Sequence, residues 1–299
     1  MSTLGGRTAV ITGAGRGLGR AHALLLAELG ARVVVNDNGA DPDGTGADGG
    51  PAQQVVDEIK RAGGAAVAHI GSASNWNSAA ELIDVAVDTF GSLDILVNNA
   101  GILRDRTLAN MSEQEWDSVI DVHLKGHFCP LRHAAAYWRS RHKAGHPVDA
   151  AVVNTSSGSG LRGNPGQVNY ASAKAGIAMM TLVAARELER YGVRVNAIAP
   201  VARTRLTMST PGLSDRLTAA DGGFDKWAPE NISPLVAWLA GGDCQVSGQV
   251  FSVMGGHIGR QRGWDEQESF DTDRRWTLDE LDQALRKLPA GPPAWVGSA

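Results

Sequence analysis

The stretch TAVITGAGRGLG, Thr8 to Gly19, starts as an apolar β-branched run and passes directly into glycines. A short run such as Thr8–Thr12 with no polar alternation predicts a strand buried on both faces. The glycines permit a tight turn and a close backbone approach, and the following Gly19–Leu29 reads as an amphipathic helix. A helix opened in this way points unpaired N–H groups at whatever lies above the turn, which suits a pyrophosphate. The strand-turn-helix setting is what gives the glycine pattern its meaning, since glycines alone are often only packing.

Working outward, further β-branched runs occur at Arg32–Asn36, Ala65–Ile70, Leu93–Asn98, Ala151–Thr155, Val193–Ile198 and Gln249–Val253. Stretches of helical length and period lie between them, including Ala52–Ala62, Ser78–Phe90, Ser112–Lys125 and Ala171–Tyr191. Strand alternating with helix predicts an α/β fold, a doubly wound parallel sheet of Rossmann-like type. Asp37–Pro51, rich in Gly, Asp and Pro, reads as an irregular loop inside this pattern. The rhythm stops past Gly259, so the expected organisation is a single domain over 1–262 and a helical tail over 263–299. Within the tail, Trp276–Leu288 reads as one short helix with Thr277 as N-cap and Glu280 closing a capping box. The final PAGPPAWVGSA is expected to be extended or mobile.

Composition narrows the function. The chain has 299 residues, 43% of them hydrophobic and 20% charged, and a formal charge of −4. That balance offers no basic field for nucleic acid or an anionic membrane surface. No run approaches the length of a membrane span, and the start lacks a secretory signal pattern. Cys129 and Cys244, far apart and without metal-ligand spacing, read as buried thiols in a reducing compartment, so a cytoplasmic protein without a metal site is expected.

The second strand ends in Asn36-Asp37, and an acidic residue some 20 positions past the glycines can accept hydrogen bonds from an adenosine ribose. Asp37 would also repel a 2′-phosphate, which favours NAD over NADP. Arg16 pulls the other way if it pairs with a phosphate, and is otherwise a solvated arginine at an open loop tip.

A second polar stretch, NTSSGSGLRGNPGQVNYASAKAG from Asn154 to Gly176, holds Tyr170 and Lys174 one helical turn apart on one face. A tyrosine with its ordinary pKa near 10 is a poor base at neutral pH, and a neighbouring cation would lower it. The same residues also read as an ordinary solvated helix, with Ser156, Ser157 and Ser159 as turn or cap residues.

Taken together, the glycine spacing of Thr12–Gly19, the NNAG of Asn98–Gly101, Ser157 and the Y-x-x-x-K of Tyr170–Lys174 resemble the short-chain dehydrogenase/reductase family, in the family's order across Thr8–Pro200. VVVNDNG, NNAGILRDR, DVHLKGHF, GNPGQVNYASAKAG and APVARTRLT look like its (3R)-hydroxyacyl-CoA dehydrogenase branch, found in peroxisomal multifunctional enzymes and as single-domain bacterial enzymes. The resemblance implies NAD-dependent interconversion of a secondary alcohol and a ketone, with a (3R)-hydroxyacyl-CoA or hydroxysteroid-type substrate. It implies Tyr170 as the base, Lys174 as its partner and a holder of the nicotinamide ribose, and Ser157 as the group that orients the substrate oxygen.

For the cofactor the resemblance implies Gly13, Arg16, Gly17, Leu18 and Gly19 around the pyrophosphate and Asp37 at the ribose. Ser72, Ala73, Asn99, Ala100, Gly101, Pro200, Ala202 and Thr204 are the further implied contacts, with Tyr170 and Lys174. Three positions depart from the broad family pattern. His123 stands where many members have a proton-relaying asparagine, and reads either as a relay or as a packed core histidine. Ser72 stands for an adenine-binding aspartate, and Val201 for a glycine. The segment 204–227 is the implied substrate lid, whose apolar residues also read as ordinary packing. Arg203, Arg205 and Arg216 can meet CoA phosphates or be plain surface arginines. Helices around Ser112–Arg139 and Ala171–Tyr191 are implied to pack in a homo-oligomer, a dimer or tetramer. Two other functions stay open: an NADPH-dependent 3-oxoacyl reductase, and a non-catalytic NAD-binding regulatory protein.

Overall fold

All five residues of β1, Thr8–Thr12, are buried, as a strand covered on both faces requires. This is seen in a computed structural model, which describes residues 4–46, 48–208, 217, 223–263, 265, 268–286 and 288. The elements that follow are α1 (Gly17–Glu28), β2 (Arg32–Asn36), α2 (Gly50–Arg61), β3 (Ala66–His69), α3 (Trp76–Phe90) and β4 (Ile95–Asn98). Then come α4 (Glu113–Ile120), α5 (Gly126–Lys143), β5 (Ala150–Thr155), α6 (Gly158–Arg162), α7 (Val168–Leu188) and β6 (Val193–Pro200). The domain closes with α8 (Arg205–Met208), α9 (Ser233–Ala240), β7 (Val250–Met254) and β8 (His257–Gln261).

The sheet order is β3-β2-β1-β4-β5-β6-β7-β8. Alternate residues of each strand feed two separate cores. Ile11, Val35, Val97 and Val153 pack under α1, α2 and α9 with Leu26, Val56 and Leu239. Val10, Val34, Leu96 and Val152 pack on the other side against Leu82 of α3, Leu131 and Trp138 of α5, and Leu188 of α7. Layers on both faces make the sheet doubly wound. The strand order reverses between β1 and β4, and a crevice opens there above the carboxyl ends of the strands.

Two features differ from the sequence expectation. An eighth strand pairs antiparallel with β7, so the sheet is parallel except at this edge. The HIGRQ segment has mostly exposed side chains and one paired neighbour, and therefore carries no apolar run to reveal it. The expected helix Ser112–Lys125 is also broken: α4 ends at Ile120 and a π-helical turn, Asp121–Lys125, leads into α5. Ser112 does cap α4, through a capping box with Glu115.

The chain divides into two units, Met1–Gln261 and Arg262–Ala299. The second holds α10 (Leu278–Leu285), opened by the expected Thr277–Glu280 capping box. Its last residues, 289–299, lie outside the described residues, as do 209–216 and 218–222 of the expected lid, Arg216 among them. Among the described residues no helix is long and apolar enough to cross a membrane.

Candidate active site

The turn after β1 fits only glycine at its closest approaches. Gly13 has φ +64° and Gly17 φ +54°, in the left-handed region. A methyl group on Gly13 would lie 2.7 Å from Cα of Ala100, so turn and post-β4 segment are in backbone contact. Hydrogen bonds fasten that contact. Thr12 Oγ1 accepts the N–H groups of Asn99 at 2.9 Å and Ala100 at 3.2 Å. Asn99 Nδ2 donates back to the carbonyls of Thr12 at 3.0 Å and Gly13 at 3.1 Å.

Above this floor lies a cleft of about 1370 Å³, counting the space open at its mouth. Gly13, Arg16, Gly17 and Leu18 form its floor, Asp37 its end past β2, and Ser72 and Ala73 the wall after β3. Asn99, Ala100 and Gly101 line it from β4, and Pro200, Ala202 and Thr204 from β6. His123, Tyr170 and Lys174 close the remaining side. Of the implied site residues, Gly19 and Ser157 stand off this wall. Gly19 sits within α1, where a methyl group would lie 2.2 Å from the Gly13 carbonyl oxygen, so close packing there requires a glycine.

Both oxygens of Asp37 are held by backbone N–H groups, Oδ2 by Gly15 at 2.8 Å and Oδ1 by Gly39 at 2.6 Å. Arg16 does not project from an open tip: its Nη1 points to the Ala40 carbonyl at 3.4 Å. The irregular loop itself folds over the cleft, where Asn38, Ala40, Asp41, Pro42 and Gly44 join the lining. It is tied at the far side by Leu103 N–H to the Pro42 carbonyl at 3.0 Å and Arg104 Nε to the Asp43 carbonyl at 2.7 Å. Arg205 approaches Asp41 at 3.8 Å from the lid side, and Arg203 is paired with Asp225. Arg203 is thus engaged within the protein.

Lys174 is 2% exposed. Its Nζ donates to the Thr155 carbonyl at 2.6 Å, and its own carbonyl accepts the Ser156 hydroxyl at 2.8 Å. Burial lowers this lysine from 10.5 to about 7. Nζ lies 5.6 Å from the centre of the Tyr170 ring. The expectation that the lysine brings the phenol down needs correction: burial raises Tyr170, a hydrogen bond with Ser157 works against that, and the Asp105 carboxylate adds to the rise. Desolvation is the largest cause of that rise, and the same burial drives the lysine toward neutrality.

His123 is 1% exposed and lies in the π-helical turn. Its Nε2 is 2.7 Å from the Ile102 carbonyl, and its ring meets Tyr170 edge-on at 5.0 Å. A methyl group on Gly101 would lie 2.4 Å from His123 Cε1, so that glycine makes room for the ring. Burial, then the charge of Lys174, holds the imidazole well below 6.5, and it is neutral.

One link went unread in the sequence. Gln167 Nε2 donates to Asp105 Oδ2 at 2.8 Å, and Gln167 Oε1 accepts from Ser159 at 2.9 Å and Asn164 at 2.8 Å. This bridge holds the Ser157 loop against the post-β4 segment. No spacing signals it, because its ends meet only in the folded chain.

Residues 7–211 match the family model described as short chain dehydrogenase. The chain belongs to the short-chain dehydrogenase family. It is 48% identical over 296 residues to the hydroxyacyl-CoA dehydrogenase ChsB1 of Mycobacterium tuberculosis, covering 96% of this chain and 90% of that one. It is 44% identical over 263 residues to peroxisomal multifunctional enzyme type 2 of Drosophila melanogaster, covering 86% of this chain and 41% of that longer protein. A crystal structure of a short chain dehydrogenase from Mycobacterium avium superposes with a TM-score of 0.85 at 53% identity, over 96% of this chain and 95% of the other. As a short-chain dehydrogenase the protein is an oxidoreductase that uses a nicotinamide cofactor. The residues present fit one: the glycine turn leaves a cradle that a methyl group on Gly13 would distort, and the Asp37 carboxylate stands fixed at the end of the cleft.

Proposed function

We propose that this short-chain dehydrogenase uses NAD to interconvert a secondary alcohol and a ketone, with a (3R)-hydroxyacyl-CoA or hydroxysteroid-type compound as substrate. The observation that carries the reading is one cleft with Tyr170 and Lys174 on one wall and the Asp37 carboxylate at its end. A fixed carboxylate favours ribose hydroxyls as donors and disfavours a 2′-phosphate by charge. The acyl-CoA class draws on the named activity of the Mycobacterium tuberculosis relative.

The nicotinamide ring, when bound, supplies a hydride acceptor for the carbon that becomes the carbonyl. Tyr170 takes the hydroxyl proton. Ser157, hydrogen-bonded to Tyr170, holds the substrate oxygen beside the phenol and limits its freedom to the reactive orientation. Lys174 stabilises the phenolate through its charge, at a separation fixed by Thr155. His123, packed on the Tyr170 ring, keeps the phenol from turning and offers a neutral imidazole for proton transfer behind it.

The protein is proposed to act in the cytoplasm as a homo-oligomer. Phe128 of α5 and Met179 and Val183 of α7 are exposed at 47%, 51% and 45%, an apolar surface of the kind that helix pairing between subunits covers.

The test is a substrate screen of acyl-CoA, steroid and small secondary alcohols with NAD, following NADH absorbance, with Tyr170→Phe as control. Turnover of a 3-hydroxyacyl-CoA or hydroxysteroid by the parent enzyme alone is expected. Turnover confined to small alcohols, or retained by the control, would refute the reading.

A further inference from the structure

Ser72 lines the wall of the cleft after β3. Its place in the sheet decides which part of a dinucleotide it meets. The order β3-β2-β1 puts the glycine turn after β1, Asp37 after β2 and Ser72 after β3. A dinucleotide with its pyrophosphate on that turn and its adenosine ribose at Asp37 therefore carries its base to the segment after β3. That placement rests on the cofactor reading above. The segment is fastened there, since Asn36 Nδ2 at the end of β2 donates to the Gly71 carbonyl at 2.8 Å.

The proton of the Ser72 hydroxyl is already committed. Asp121, in the π-helical turn, accepts the Ser74 hydroxyl on Oδ2 at 2.5 Å and Lys125 Nζ on Oδ1 at 2.8 Å. A carboxylate paired in this way only accepts, so the one hydroxyl proton of Ser74 points to Asp121. Ser74 Oγ, 3.0 Å from Ser72 Oγ, can then only accept from it. Donation thus runs from Ser72 to Ser74 to Asp121. Ser74 is buried, so water competes little for this chain. Ser72 Oγ also accepts the Ser74 N–H at 3.3 Å, which leaves it one lone pair and no proton for a ligand.

We propose that Ser72 reads the adenine base by accepting a hydrogen bond from its 6-amino group, and that Asp121 is the positioning residue that fixes this polarity through Ser74. A free serine hydroxyl turns to donate or to accept, and so tells an amino group from an oxo group poorly. One whose proton is held elsewhere leaves an oxo group facing a lone pair, which is the repulsive element that discrimination needs.

Isothermal titration calorimetry of the full chain compares NAD with nicotinamide hypoxanthine dinucleotide, in which an oxo group replaces the 6-amino group and N1 gains a proton. The parent protein is expected to bind NAD about three- to tenfold more tightly, the range of one hydrogen bond between neutral groups. In Asp121→Asn, Lys125 still takes the side-chain oxygen because a lysine only donates, which turns the amide N–H toward Ser74 and reverses the chain. Ser72 then donates into the cleft. The preference for NAD is expected to fall to about one or below, with the hypoxanthine dinucleotide bound more tightly than by the parent. Ser74→Ala breaks the chain at its middle and should also bring the preference to about one, and it carries the test should the asparagine variant not fold. Equal binding of the two dinucleotides by the parent overturns the assignment. So does equal weakening of both in the variants, which leaves the ratio unmoved and makes Asp121 merely structural. Absence of NAD binding by the parent would overturn the cofactor reading, and this assignment with it.

Discussion

The Asp37 carboxylate reaches back to the glycine turn, where its Oδ2 accepts the N–H of Gly15 at 2.8 Å. The group proposed to select the cofactor is therefore part of the loop that cradles it. Asp37→Ala should erode the preference for NAD over NADP, read as the ratio of kcat/KM values for the two cofactors. It should also loosen the turn and raise KM for NAD. An unchanged ratio would place discrimination elsewhere.

Gly13 admits no side chain without displacing Ala100, and its φ of +64° adds backbone strain to any substitution. Gly13→Ala is expected to lower stability by about 1–3 kcal/mol and to abolish cofactor binding. Thermal unfolding and cofactor fluorescence titration check the two effects separately. A variant that binds normally would show that the turn yields more readily than its contacts imply.

Burial drives Tyr170 and Lys174 in opposite directions, each toward its neutral form. With the lysine lowered to about 7 and the phenol raised above its usual value, the pair holds one proton between these limits. In that window phenolate with ammonium, and phenol with amine, are tautomers of one charge state. A second proton enters below about pH 7 and extinguishes the base. Alcohol oxidation is therefore expected to decline about tenfold per pH unit below pH 7, measured as kcat/KM. Tyr170→Phe should retain cofactor binding and lose most turnover at every pH.

His22, fully buried, shares a 2.8 Å hydrogen bond with Ser233, and burial lowers it from 6.5 to about 3. Between these values the unfolded chain binds the proton and the folded chain does not, so stability falls as pH drops from 6.5 toward 3. His22→Asn should remove up to about 1.4 kcal/mol per pH unit from that slope. Denaturant unfolding at pH 6 and pH 4.5 measures it. An unchanged difference between the two pH values would assign the acid sensitivity to other groups.

Much of the architecture was legible because parallel strands buried on both faces show as unbroken apolar runs, as in β1, β2 and β5. β8 was not legible, because an edge strand with exposed side chains has no such run. The π-helical turn at Asp121–Lys125 was hidden in the same way, since helical spacing continues across it. Most implied site residues line one cleft; Gly19 and Ser157 lie off its lining, and the glycine at 19 also serves close packing against Gly13.

By itself, the amino-acid order determined the α/β alternation, the glycine cradle after β1, and the serine, tyrosine and lysine brought to one strand end and one helix face. Each depends on local backbone sterics and short-range spacing. Only the tertiary structure decided that Lys174 is driven toward neutrality and that the loop after Asp37 roofs the cleft. The reason is physical: desolvation and hydrogen-bond partnership are set by residues distant along the chain, and they exist only once the sheet and its helices have packed.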